Sequence, residues 1–139
     1  MREHKYRGMT KEGKWVYGSL VQLNSGLCYI IANIHGLHLP LDRKLMCEFT
    51  DQVLPETVGQ FTGLHDSEGR ESCHKDICLY ADDSGTTQTG IIEWSDTRAA
   101  FYIEAIGGDD EGNQDGDLDR PFKVVGNKWE NKELLNDSK

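Results

Sequence analysis

Short stretches in which apolar and polar residues alternate recur along the chain, as expected of β-strands with one buried face. Segment 15–22 (WVYGSLVQ) has this alternation, and an Asn-Ser-Gly turn at 24–26 separates it from a second apolar stretch, LCYIIANI at 27–34. Asn and Gly readily adopt the left-handed conformations that hairpin turns require. These features predict a β-hairpin, whereas the third apolar stretch, KLMCEFTDQVL at 44–54, fits a strand or a short helix equally well.

Beyond Pro55 the pattern becomes denser, with five candidate strands separated by short polar turns: TVGQFTG, DICLYAD, TQTGIIEWS, AAFYIEA and PFKVVGNKW. Strands at this spacing predict a small antiparallel barrel or sandwich. The ending ENKELLND fits one helical turn, with Asn131 as its N-cap. We therefore predict a mainly β fold, with α+β as the alternative: a β-rich subdomain at 1–54, then a barrel at 55–139 with an acidic loop at 107–120.

Three large aromatic residues are the candidate anchors of the core. Phe101 and Trp94 lie in alternating segments, and Trp129 follows the last predicted strand. Large aromatic side chains bury more apolar surface than any aliphatic one. The sequence thus predicts that all three are buried.

The charge balance indicates which classes of molecule the protein is expected to bind. The 139 residues contain 15 basic and 24 acidic side chains, for a net charge of −9. Nucleic-acid binding normally requires a basic surface, and the basic residues cluster only at the start of the chain, at Arg2, Lys5, Arg7, Lys11 and Lys14. Nucleic-acid association, or mimicry of DNA by carboxylates in 104–119, is therefore the alternative, and contact with protein is the main expectation.

The apolar runs and the cysteines indicate the compartment of the protein and the redox state of its thiols. The longest apolar run, LCYIIA, is too short to span a bilayer. The polar start of the chain has no apolar leader. With four cysteines, at 28, 47, 73 and 78, we expect a cytoplasmic protein with reduced thiols and no membrane contact.

The glycine-spaced segment 56–71 (ETVGQFTGLHDSEGRE) is a candidate phosphate-binding loop. Gly63 is followed by Leu64 and not by the Lys that a P-loop requires, and no helical apolar stripe follows. The segment instead predicts a strand over 57–62 that ends at Gly63, and a turn in which Asp66 caps the backbone and Gly69 adopts a positive φ.

Two groups of residues have metal-binding character. Cys73, His74 and Cys78, with His65 nearby, offer thiolate and imidazole ligands, but the Cys-x4-Cys spacing differs from a zinc knuckle. In the acidic run 107–119, Gln114 and Arg120 occupy positions where a calcium-binding EF-hand loop has Gly and Glu. We therefore expect free packed thiols and a solvated loop, with a zinc or cation site as the alternative in each case, and we assign no cofactor.

No nucleophile elbow or cysteine-protease signature is present, so no catalytic residue is assigned and the protein is expected not to be an enzyme. An unrecognised hydrolase or metal enzyme is the remaining alternative; bound metal or a pocket of carboxylate and histidine would indicate it.

Four segments, in order along nearly the whole chain, resemble the YopX-like family of phage and prophage proteins: MREHKYRGM, VYGSL, LPETVGQFTGLHDSEGRE and VVGNKWENKELL. The segment SCHKDICL departs from the family pattern, so Cys73, His74 and Cys78 have no counterpart that would imply a shared metal site. Lys132 also stands where proline is common in the family.

The resemblance implies a β-rich fold whose C-terminal half is an SH3-like barrel, a tendency to form oligomers, and the cytoplasm of a bacterial host. It supplies no catalytic or binding residues. We expect a non-enzymatic accessory protein that acts through protein contacts or self-association, with LCYIIANI at 27–34 as candidate interface.

Overall fold

The structure, a computed structural model, describes residues 5–32, 49–106 and 115–136, and these residues confirm the predicted mainly β fold. The strands in the described ranges are β1 (Tyr6–Met9), β2 (Trp15–Gln22), β3 (Cys28–Ala32), β4 (Thr50–Val53), β5 (Gly59–His65), β6 (Glu71–Cys73), β7 (Asp76–Ala81), β8 (Thr87–Ser95), β9 (Ala100–Ala105), β10 (Gly116–Asp117) and β11 (Phe122–Asn127). A 3-10 helix, Pro55–Thr57, precedes β5, and helix α1, Lys132–Asn136, follows β11. Within these ranges no helix is long and apolar enough to cross a membrane.

The chain divides into two compact units, Met1–Phe61 and Thr62–Lys139. The sequence-based boundary between residues 54 and 55 stays a prediction, and so does the SH3-like character of the second half. Strand β5 crosses the division, with Gly59 and Gln60 paired to β1 in the first unit.

The first unit is built on the antiparallel strands β4-β3-β2-β1, with the start of β5 beside β1. The predicted hairpin is confirmed, since β2 and β3 pair from Gly18–Ala32 to Gln22–Cys28. Alternation along both strands places one set of side chains in a small core, formed by Cys28, Ile30 and Val53 with Tyr6, Val16, Leu20 and Val58 packed against them. On the opposite face Tyr17 and Val21 of β2 are exposed, whereas Tyr29 and Ile31 of β3 are half-buried.

The second unit contains the antiparallel sheet β10-β9-β8-β7-β11. Its core consists of Cys78, Tyr80, Ile92, Ile103, Leu118 and Phe122, with Phe101 and Val124 packed against it. Strand β7 lies between β8 and β11, and its first three residues, Asp76, Ile77 and Cys78, are all buried. A strand inside the sheet with both faces covered does not show strict alternation.

Several sequence predictions are wrong in detail. The strand predicted over 57–62 starts at Gly59, because Thr57 belongs to the 3-10 helix, where its hydroxyl donates to Leu54 O (2.7 Å). Gly63 does not end the strand, which continues to His65 with Gly63 in a positive φ of 92°. Of the stretch 44–54, Thr50–Val53 form strand β4, in agreement with the strand alternative, and residues 44–48 lie outside the described ranges.

Trp94 is not a core anchor, because 42% of its surface is exposed near the end of β8. Phe101 and Trp129 are half-buried. Asn131 directly precedes α1, but its side-chain oxygen accepts the backbone N–H of Asn127 (3.1 Å) in the preceding turn. The core is made instead by isoleucines, Tyr80 and Phe122.

Candidate functional site

Four hairpin turns in the described residues share one backbone design: Thr10–Lys14, Leu23–Leu27, Asp66–Arg70 and Asp82–Thr86. In each turn the first residue donates its N–H to the carbonyl of the fifth, and the fourth donates to the carbonyl of the first, at 2.8–3.0 Å. The fourth residue is always glycine, with φ between 85° and 93°. Glycine adopts this conformation without the Cβ clash that other residues meet.

In three of these turns the first side chain also caps the backbone. Thr10 Oγ1 accepts the N–H of Lys14 (3.2 Å). Asp82 Oδ1 accepts the N–H groups of Ser84 (3.0 Å) and Thr86 (2.9 Å). Asp or Thr at this position therefore satisfies donors that the turn leaves without a partner on the backbone.

The turn between β2 and β3 differs, because its first and last residues are both leucine. Leu23 has no polar atom on its side chain and cannot cap the turn. Both leucines are exposed, Leu23 by 44% and Leu27 by 40%. This turn thus presents apolar surface where the other three present hydrogen-bonding groups.

The apolar surface of this turn continues along β2. Tyr17 and Val21 are also exposed, on the side of the strand opposite the core. We call Tyr17, Val21, Leu23 and Leu27 the hairpin surface. Several exposed apolar side chains on one face of an element are typical of an interaction site, whereas isolated ones need no explanation.

The Asp66 turn is a hydrogen-bonded site of the second unit. Asp66 Oδ1 accepts the N–H groups of Glu68 (2.9 Å) and Arg70 (2.8 Å), which confirms the predicted cap. Gly69 has the predicted positive φ, 85°. Asp66 itself is buried.

The same turn also reaches the edge of β11. Asp66 Oδ2 accepts the N–H of Val124 (2.9 Å), Arg70 Nη1 donates to Val124 O (3.3 Å), and Ser67 N donates to Phe122 O (2.8 Å). On its other side β11 pairs with β7. The turn therefore occupies backbone groups that would otherwise form an exposed sheet edge.

Burial raises the pKa of Asp66, but the backbone N–H groups of Val124, Arg70 and Glu68 lower it more, and the pKa lies below its ordinary value of 3.8. Asp66 is thus ionised at neutral pH, and the ionised form is the one that three N–H groups stabilise.

The candidate metal ligands Cys73 and Cys78 lie in the surroundings that are usual for packed, structural cysteines. Cys73 and Cys78 are buried free thiols. Burial, followed by the charges of Asp76 and Asp66, raises the pKa of Cys78 to about 12, so the thiol is protonated at neutral pH. In the described residues no three His, Cys, Asp or Glu side chains are grouped so that they could hold a metal ion.

The turn that contains His74 joins an ion-pair cluster. Glu93 contacts Lys75 Nζ at 2.6 and 2.7 Å and His74 Nε2 at 3.1 Å. Lys75 has a positive φ of 74°, and its N–H donates to Ile92 O (2.8 Å). This cluster holds the β6–β7 turn against β8 and lies beside an aromatic pair formed by Trp94 and Phe101.

The basic start of the chain is only partly free for a partner. Lys5 Nζ lies 5.6 Å from the Phe61 ring, and Arg7, which is buried, lies 4.9 Å from the Trp15 ring. Lys11 and Lys14 are exposed in the β1–β2 turn, and Arg2 lies outside the described residues. Nucleic-acid association through these basic residues stays a prediction.

The part of the acidic run at 107–114 lies outside the described residues, as does Cys47. Asp115 Oδ1 accepts the N–H of Ala105 (3.0 Å), and Arg120 pairs with Asp83. Burial, together with the charges of Asp115 and Asp82, raises the pKa of Tyr80 to about 12.

Two adjoining depressions lie in the second unit, of 220 and 310 Å³, and both are bordered by Ser67, Pro121 and Phe122. The larger is also lined by His65, Asp66, Leu118, Asp119 and Arg120. Both carboxylate oxygens of Asp66 accept backbone N–H groups, and Arg120 pairs with Asp83. These two charged residues of the lining therefore stabilise the fold.

Comparisons with known proteins agree with this fold. The crystal structure of protein EF1440 from Enterococcus faecalis matches with a TM-score of 0.56 and 22% sequence identity, over 97% of this chain and 99% of that one. At this identity the likeness shows a shared fold. No curated protein matches the sequence at a significant level. The family described as YopX protein matches residues 5–136, nearly the whole length, and the chain belongs to this family.

Proposed function

We propose that this YopX-family member is a phage or prophage accessory protein that binds other proteins, in the first place a second copy of itself, through the hairpin surface. The observation that carries the proposal is the β2–β3 turn. Three turns of identical backbone design have a polar cap at their first residue, and this one has an exposed leucine. Loss of a cap costs stability, so a compensating role for the leucines in binding is the simplest physical account.

The distribution of charge supports self-association through the first unit. Residues 1–61 contain seven basic and six acidic residues, a net charge of +1, whereas residues 62–139 contain eight basic and eighteen acidic residues, a net charge of −10. Contact between two second units would suffer strong like-charge repulsion. Contact between two hairpin surfaces avoids most of it.

The proposed role is binding and not catalysis, and the proposed compartment is the cytoplasm of the bacterial host. The protonated thiol of Cys78 supports the non-catalytic role, because the thiolate is the nucleophilic form of cysteine. The buried state of Cys28, Cys73 and Cys78 as free thiols supports a reducing compartment.

Light scattering across micromolar concentrations tests the proposal. We expect a mass above the 15.7 kDa of the single chain, and we expect Leu27→Glu to return the mass to that value. Leu64→Glu is the matched control, because Leu64 is exposed by 44% in β5 beyond the hairpin, and this variant should keep the parent mass. A mass of 15.7 kDa at every concentration, or equal dissociation by both variants, would falsify the proposal.

A further inference from the structure

An aromatic pair is open to solvent at the end of β8 and β9. Trp94 pairs with Phe101, directly beyond the pair formed by Ile92 and Ile103. The isoleucines are fully buried, whereas Trp94 is 42% exposed and Phe101 is half-buried. The two rings meet edge to face, with centroids 5.0 Å apart at 74°.

Hydrogen bonding fixes the orientation of the exposed indole. Trp94 Nε1 donates to Asp96 Oδ1 at 2.9 Å. The adjacent residue Glu93 pairs with Lys75. Asp96 therefore supplies a negative charge at the rim of the indole ring.

A cation suits this arrangement. The aromatic face attracts positive charge, and a planar guanidinium can stack on an indole while it donates to a carboxylate. The chain contains the same kind of stacking internally, since Arg7 lies 4.9 Å from the Trp15 ring and Arg98 lies 5.0 Å from the Tyr102 ring. The net charge of −10 on residues 62–139 adds a longer-range attraction for a basic partner and opposes the approach of nucleic acid.

We propose that Trp94 and Asp96 form a recognition site for an arginine side chain of a basic partner protein. The site lies in the second unit and is independent of the hairpin surface. It gives the protein a second interaction surface, for a partner of opposite charge.

The test uses the full chain and an acetylated peptide of alternating glycine and arginine. The indole N–H signal of Trp94 is followed by NMR and is assigned with Trp94→Phe. We expect the peptide to shift this signal, and we expect a matched peptide with glutamine in place of arginine to leave it unchanged. Affinities of the variants are measured by isothermal titration calorimetry, where Trp94→Ala should weaken binding roughly two- to five-fold and Trp94→Phe should retain most of it.

A charge-matched control separates a specific site from general attraction. Asp96→Asn and Asp119→Asn each remove one exposed acidic charge, but only Asp96→Asn should weaken binding by more than the salt-dependent background. Equal effects of these two variants, unchanged affinity in Trp94→Ala, or a shift of the Trp94 signal by the glutamine peptide would overturn the proposal. A larger shift with an oligothymidine would overturn it in favour of base stacking.

Discussion

The Leu23–Leu27 and Asp66–Arg70 turns have the same backbone hydrogen bonds and the same glycine conformation, yet their side chains differ in polarity and exposure. Asp66 places both carboxylate oxygens on backbone donors, one set in its own turn and one on β11. Leu23 and Leu27 make the corresponding positions apolar and exposed. The comparison shows that turns of this backbone design accept polar or apolar residues beside the glycine, and in our proposal the apolar version serves binding.

Replacement of Asp66 by alanine tests whether the Asp66–Arg70 turn stabilises the protein, and it should have the largest effect on the free energy of unfolding. Asp66→Ala leaves the N–H groups of Glu68, Arg70 and Val124 without their acceptor at a buried site. We expect a loss of about 2–3 kcal/mol in the free energy of unfolding, measured by urea denaturation.

Asp82→Ala is the control for that measurement. Asp82 caps its own turn in the same way but is only half-buried, and its backbone bonds are all local. We expect a clearly smaller loss. Equal losses would show that the contact between Asp66 and β11 contributes little.

The same contact should make stability depend on pH. The pKa of Asp66 in the folded state lies below its ordinary value of 3.8, so its contribution is fully present above that value and is lost as the pH falls through the folded-state pKa. Thermal unfolding followed at pH values from neutral to acid should show this loss, and Asp66→Asn should flatten that part of the curve. A parallel decline in both proteins would contradict the assignment.

The smallest expected effect is a gain in stability. It is produced by giving the Leu23–Leu27 turn the polar cap that the other three turns have. Leu23→Asp places an acceptor where it can reach the N–H groups of Ser25 and Leu27, by analogy with Asp66 and Asp82. We expect about 0.5–1 kcal/mol of added stability in the single chain, together with weaker self-association by light scattering. If stability rose while association stayed unchanged, the leucine turn would not be the interface.

The sequence predicts the local parts of this structure well. The hairpin of β2 and β3, the strands β7, β8 and β9, the cap at Asp66 and the positive φ of Gly69 all follow from alternation and turn residues. The repeated polar-x-x-Gly turns were present in the sequence and could have been identified by their common spacing, with Leu23 as the exception.

Long-range pairing was not predictable in this way. Strands β1, β6 and β10 are short, and each is a strand only because a neighbour pairs with it. Trp94 follows the alternation of the core face, but the sheet ends beside it, which sequence periodicity does not reveal. The contact of Asp66 with Val124, 58 residues away, is likewise invisible to local patterns.

That distance has a consequence for the order in which the chain folds. The Asp66 turn can close on itself as soon as residues 66–70 leave the ribosome, since a hairpin forms within microseconds. Its second carboxylate oxygen and the edge of β7 must wait for β11, because Val124 lies 58 residues after Asp66. A nascent or truncated chain that stops before Phe122 therefore exposes an open strand edge, and synthesis of β11 is the event that covers it.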